Sequence, residues 1–151
     1  MATYRGALLY GVAENTIFMT RLLVGTDGAE ASEIIVEYLN GCVNSDDTVF
    51  VVNSLVGGDE TSSDEIAEGE DALDVLEDGL GDGVAVERHQ YIRGNAPIED
   101  LLEAGDEHDI DEYVIGIRKR SPVGKMMFGS TAQNLLLETE LPVRCVPLVS
   151  D

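Results

Sequence analysis

The residues best suited to chemistry in this chain stand between two glycines. Gly116 closes the apolar run Tyr113, Val114, Ile115, and Gly129-Ser130-Thr131 opens the amphipathic stretch from Ala132 to Leu141. A glycine at the exit of a strand lets a ligand come close to the backbone. The free N–H groups and dipole of a helix N-terminus favour an anion. Four of the nine basic residues, Arg118, Lys119, Arg120 and Lys125, fall in this stretch of a chain with 30 acidic residues. A phosphate-bearing ligand is the simplest account of that clustering. The alternative is a solvated basic loop paired with acidic neighbours.

Other phosphate motifs fail. Gly124-Lys125 is followed by Met126 rather than Ser or Thr, and position 119 is lysine where a Walker loop needs glycine. Gly25-Thr26-Asp27 does not continue as a dinucleotide fingerprint, and its carboxylate would repel a pyrophosphate. Asp27 suits sugar hydroxyls, or a Mg²⁺ carried in with a nucleotide. Catalytic machinery is not visible: the two histidines, His89 and His108, belong to no Ser-His-Asp or HExxH set. His89 falls in a strand. His108, within Asp106-Glu107-His108-Asp109, reads as a surface residue at a helix end, where an imidazolium is favoured. Cys42 and Cys145 read as reduced core residues, and with no CxxC a metal site is not expected.

These residues need a scaffold, and the hydrophobic pattern supplies one. Leu22 to Gly25, Val49 to Val52 and Ile110 to Ile115 are short apolar runs of the kind that form strands buried on both faces. Val84 to Ile92 is a less buried strand, and Pro142 to Val149 is a strand whose prolines place it at an edge or against a partner. Four helical faces alternate with them. They are Ala31, Ile34, Ile35, Tyr38, Leu39, Cys42; Ile66, Gly69, Leu73, Leu76, Leu80; Ile98, Leu101, Leu102, Gly105, opened by Pro97; and Ala132, Leu135, Leu136, Thr139. The order βαβαβαβαβ predicts an α/β fold, a five-stranded parallel sheet with helices on both faces. Ligands of such sheets bind at the carboxyl ends of strands near a switch in strand order, and Asp27, Ser54 and Gly116 all fall at predicted carboxyl ends.

The chain of 151 residues carries a net charge of −21 and has no Lys or Arg between Arg21 and Arg88. That surface repels nucleic acid and anionic membranes. It suits a concentrated-salt cytoplasm, where the Debye length falls to about 3 Å near 1 M; an acidic protein of an ordinary cell is the alternative. No apolar run is long enough for a transmembrane helix. Residues 1–18 make a poor signal peptide and read as a loosely attached N-terminal extension, with Met19 as a candidate start. An added edge strand or dimer arm is the other reading of that segment.

Leu23-Val24-Gly25-Thr26-Asp27-Gly28, Gly94-Asn95-Ala96-Pro97 and Val114-Ile115-Gly116 with Gly129-Ser130-Thr131 together resemble the universal stress protein family, over residues 20–150 and so the domain 19–151. The family's nucleotide-binding pattern is Gly-x2-Gly-x9-Gly-Ser/Thr. Gly116 and Gly129-Ser130 match at the right spacing, and Lys119 replaces the second glycine. The resemblance implies a Rossmann-like (adenine nucleotide alpha hydrolase-like) fold, a homodimer through Pro142 to Val149, and ATP or AMP as ligand. Thr26, Asp27 and Ser54 would then lie near the nucleoside, with Gly116, Gly129, Ser130 and Thr131 on the phosphates. Arg118 and Lys119 would add charge there, although lysine resists the left-handed backbone that glycine permits. A cytoplasmic, nucleotide-responsive stress protein is the expected function. The rivals are an interaction module that binds no nucleotide and a weak ATPase using water positioned by Asp27.

Overall fold

The computed structural model describes residues 19–81, 83–119, 126–127 and 129–149. The expected extension 1–18 and the basic residues Arg120 and Lys125 lie outside the described residues, as does the side chain of Lys119. The strands are β1 (Arg21–Gly25), β2 (Thr48–Leu55), β3 (Ala85–Ile92), β4 (Glu112–Lys119), β5 (Met126–Met127) and β6 (Val143–Pro147). The helices are α1 (Ala29–Asn40), α2 (Ser63–Gly79), α3 (Pro97–Glu107) and α4 (Ser130–Glu138), with a 3₁₀ turn at Gly58–Glu60.

Five strands run parallel in the order β3-β2-β1-β4-β6, as the alternation predicts, and the two-residue β5 adds an antiparallel return onto the end of β4. The chain builds outward from β1 to β3 and then returns to the other side with β4 and β6. The switch in strand order therefore falls between β1 and β4, the crevice where such sheets take their ligands. The proline-flanked strand β6 lies at one edge and among the described residues pairs only with β4, with Pro147 opposite Ile117. β3 forms the other edge, and its partial exposure follows.

Alternation along the central strands divides the core in two. Leu22, Val24, Val49, Val51 and Val114 face Ile35 and Leu39 of α1 and Leu73 and Leu76 of α2. Leu23, Phe50, Val52, Tyr113 and Ile115 face Leu101 and Ala104 of α3 and Ala132 and Leu135 of α4. Each fully buried Leu or Val of these clusters contributes about 1.5–3 kcal/mol of burial. The fit of α3 depends on Gly105, where a Cβ would stand 2.0 Å from the Tyr113 hydroxyl. That hydroxyl donates to the Leu101 carbonyl at 3.1 Å, and burial pushes its pKa up to about 12.

Several local expectations need correction. β4 does not end at Gly116; pairing with β6 and β5 carries it on to Lys119, so Gly116 sits inside the strand. Lys119 pairs with Met126 in extended backbone, which lysine adopts freely, so the left-handed conformation expected to resist it is not required there. Cys42 is exposed rather than buried, because α1 ends at Asn40 and the chain turns away before it. Tyr38 and Leu136, placed on core faces by spacing, are 40% and 41% exposed. Their helices bury narrower stripes than the periodicity allows. His108 does cap the end of α3, but it is half-buried, stacked between Phe50 (ring centroids 4.5 Å apart) and His89 (4.8 Å). Among the described residues no helix is long and apolar enough to cross a membrane.

Candidate functional site

A cavity of about 250 Å³ opens at the carboxyl ends of β1 and β4, between the first turns of α1 and α4. Small-molecule sites commonly occupy about 300–1,000 Å³, so this one falls just below that range. Of the residues singled out from sequence, Thr26, Asp27, Ser54, Gly116, Arg118 and Thr131 line it. Gly129 and Ser130 cap and begin α4 as exposed residues outside the lining, and Lys119 lies beyond Arg118 on β4. Ala31, Ile35, Val52, Leu101 and Ile115 supply apolar walls.

The loop after β1 is held from beneath. The Thr26 N–H donates to the Val52 carbonyl at 3.0 Å, and the buried Asn53 amide donates to the Thr26 carbonyl at 3.0 Å. Gln90 in turn donates to Asn53 Oδ1 and to the Ile66 carbonyl, both at 3.0 Å. This closes a polar knot between β1, β2, β3 and α2. It requires Gly69 on α2, where a Cβ would stand 2.1 Å from Asn53 Oδ1. The Thr26 hydroxyl is engaged within its own loop, 3.2 Å from the Gly28 carbonyl and 2.6 Å from Ser32 Oγ. Thr26 therefore shapes the cavity rather than offering it a free hydroxyl.

Ser54 is similarly engaged. It donates to Asp100 Oδ2 at 2.6 Å, while Arg93 Nε (2.7 Å) and Asn95 Nδ2 (3.0 Å) donate to Oδ1. Asp100 is fully buried at the start of α3. Burial alone would raise its pKa, but the hydrogen bonds from Ser54, Asn95 and Arg93 outweigh it and hold the carboxyl below its ordinary range. This hub ties the end of β2 to the turn Gly94-Asn95-Ala96-Pro97 and so fixes Pro97 and Leu101 in the cavity wall.

Across the mouth, Arg118 of β4 grips Asp27 with both arms of its guanidinium, at 2.7 and 3.0 Å. Behind this pair stands the N-terminus of α4. The helices α1, α2 and α3 all carry acidic residues in their first turns (Glu30; Asp64 and Glu65; Glu99 and Asp100), whereas α4 has none. Gly129 caps it without a side-chain hydrogen bond. With no side-chain cap among the described residues, its first N–H groups and dipole suit an external anion.

The two glycines of the motif differ. At Gly116 an added Cβ would stand 2.6 Å from Leu148 Cδ1, so Leu148, from the segment after β6, already takes the space that the missing side chain leaves. At Gly129 an added Cβ meets nothing within 4 Å. A close approach by ligand backbone or phosphate is possible there.

Asn53, Asp100 and Leu148 were not singled out from sequence. A polar residue directly after the apolar run Val49 to Val52 could have indicated Asn53. Asp100, four residues before Ala104, sits on the buried face of α3, a position where an acid requires partners. Leu148 carried no such mark. Neither histidine lines the cavity, and among its described lining residues Asp27 is the one carboxylate. Among the described residues no group of three or more His, Cys, Asp or Glu could hold a metal ion.

Comparison with known proteins places these features in context. The model of the universal stress protein family matches residues 19–147. A universal stress protein of Mycolicibacterium smegmatis is 40% identical over 100 residues, covering 66% of this chain and 76% of that one. The structure of a universal stress protein from Archaeoglobus fulgidus is 34% identical and covers 86% of this chain and 99% of that one, with a TM-score of 0.62. A structure of the universal stress protein from the same organism in complex with dAMP is 26% identical, covering 87% and 99%, with a TM-score of 0.63.

Proposed function

The chain belongs to the universal stress protein family, and from that premise we propose that it binds an adenine nucleotide, ATP or AMP, and acts in the stress response through binding and dimerisation. One observation carries the reading. In a chain of net charge −21, a guanidinium and the one helix N-terminus free of acidic residues among those described meet at the cavity of the strand-order switch. The dAMP complex of the relative from Archaeoglobus fulgidus supports the same ligand class.

The residues present fit such a ligand. The apolar walls suit a base, and Asp27 suits sugar hydroxyls. Thr26 and Ser54 act by shaping the loop and wall. The N–H groups at Gly129, Ser130 and Thr131 suit phosphates, with Gly116 flooring the cavity and Arg118 and Lys119 adding positive charge. Where ATP is the ligand, Mg²⁺ arrives on its phosphates. The role is binding rather than turnover, since Asp27 is held by Arg118 and no imidazole lines the cavity. The homodimer forms through Pro142 to Val149, where β6 is an open edge and Val149 is 56% exposed. The protein works in the cytoplasm.

The test is calorimetric titration of ATP and AMP in molar KCl, where the self-repulsion of the acidic surface is screened. Wild type should bind one nucleotide per protomer. Gly129→Leu should lose about tenfold or more in affinity, the worth of one charge-assisted hydrogen bond. Its melting temperature should stay close to wild type, because the new side chain meets open space. A folded wild type that binds no nucleotide, or a Gly129→Leu protein that binds as well as wild type, would overturn the reading in favour of an interaction module without nucleotide.

A further inference from the structure

Asn53 and Gln90 do not line the cavity, yet they hold the loop at its mouth. β1 ends at Gly25, which pairs with Val52. One residue further on, Thr26 is bound to β2 by both of its backbone groups. Its N–H donates to the Val52 carbonyl and its carbonyl accepts from the Asn53 amide, each at 3.0 Å. The Asn53 side chain thus adds a rung beyond the strand pairing. The Thr26 carbonyl belongs to the planar peptide that joins Thr26 to Asp27. Fixing its oxygen fixes the plane from which Asp27 and Gly28 leave the sheet.

The amide that does this can stand only one way round. Thr26 and Ile66 both present carbonyl oxygens, which only accept. Asn53 must turn its nitrogen to Thr26 and therefore its oxygen to Gln90. The Gln90 nitrogen serves that oxygen and the Ile66 carbonyl, each at 3.0 Å. Asn53 is 3% exposed, so its oxygen without Gln90 would be left unpaired in the core. Gly69 of α2 leaves room for both amides: an added Cβ would stand 2.1 Å from Asn53 Oδ1 and 2.5 Å from Gln90 Nε2.

We propose that Asn53 and Gln90 act in series as positioning residues of the nucleotide site: Gln90, on the edge strand β3, sets Asn53, and Asn53 sets the loop Thr26-Asp27-Gly28. The inference rests on the nucleotide reading above and adds two residues outside the cavity on which affinity depends. Loss of Gln90 leaves a buried amide oxygen without its donor. The Asn53 side chain then moves to find another, and its hold on Thr26 slackens. A loop that is no longer preorganised must be ordered by the ligand, and that cost is subtracted from affinity.

The experiment is a double-mutant cycle on the full chain, read by calorimetric titration of AMP in molar KCl below the melting temperature of each protein. Asn53→Leu keeps the branched shape and removes the amide; it should weaken AMP about five- to tenfold. Gln90→Met keeps the length and removes the donor; it should weaken AMP about three- to tenfold. The two losses should not multiply. The double variant should bind AMP no more weakly than Asn53→Leu, because Gln90 reaches the site through Asn53. A merely structural role would lower the melting temperatures and leave the AMP affinity of the folded variants at the wild-type value, and that result overturns the proposal. Losses that multiply in the double variant overturn it too, since the residues would then act by separate routes. If Asn53→Leu does not fold, Gln90→Met decides alone, and wild-type affinity in that variant overturns the proposal. A folded wild type that binds no AMP overturns the nucleotide reading and the positioning role with it.

Discussion

Two Arg–Asp pairs stand at the carboxyl end of this sheet, and their surroundings differ. Arg93–Asp100 has its carboxylate fully buried and shared among Ser54, Asn95 and Arg93, with Arg93 held in addition by Glu103 at 2.9 Å and lying over the Tyr91 ring at 4.2 Å. Arg118–Asp27 has comparable distances but faces solvent on both sides. Coulomb attraction at similar separation is far weaker in water than in a protein interior. Geometry alone would rank the pairs as equals. Burial makes one a fixture of the scaffold and leaves the other a weak surface pair.

That contrast can be tested from its strong end. Asp100→Ala removes the acceptor of three hydrogen bonds and strands the Ser54 hydroxyl and the Asn95 amide. It should cost about 2–3 kcal/mol in urea unfolding carried out in molar KCl. A loss below about 1 kcal/mol would mean that the hub is not a structural fixture.

Acid offers a gentler version. Because the folded protein holds Asp100 below its ordinary pKa, its contribution is complete above about pH 4 and is lost as pH falls through the depressed value. Wild type should therefore lose its stability advantage over Asp100→Asn below about pH 4. Comparing the two proteins cancels the relief of repulsion that all the other carboxylates share. A constant difference across that window would show that Asp100 does not carry the effect.

The weak end of the contrast is Arg118→Gln. It should change unfolding free energy by only about 0.2–1 kcal/mol, and less as salt rises. A cost above about 2 kcal/mol in the same urea series would place this pair with the scaffold and remove the distinction.

The fold was legible because it rests on local information. Val49 to Val52 and Leu22 to Gly25 could not be other than buried strands, and the spacing of Leu73, Leu76 and Leu80 marks a helix with one buried face. The edge position of β6 followed from two prolines that cannot donate to a ladder. The site was legible only in outline. Asp27, Ser54 and Gly116 were brought together by topology, which gathers the carboxyl-terminal parts of β1, β2 and β4 at one end of the sheet. What each does there depended on contacts between distant segments. Ser54 turned out to serve Asp100, Thr26 its own loop, and Gly116 the packing of Leu148. His108 lay in an acidic stretch that looked solvated, yet its ring fills a gap between Phe50 and His89. No periodicity records such pairings, because stacking and ion-pair partners are chosen by the assembled sheet rather than by neighbours in the chain.

The unequal surroundings of Gly116 and Gly129 bear on how relatives of this protein should be read. A descendant that abandoned its ligand could take a side chain at position 116 only by shifting Leu148, which fills that space. Position 129 is under no such constraint from the fold, and a lineage without a ligand would be at liberty to drift there. The first glycine of the motif thus testifies to architecture and the last to use.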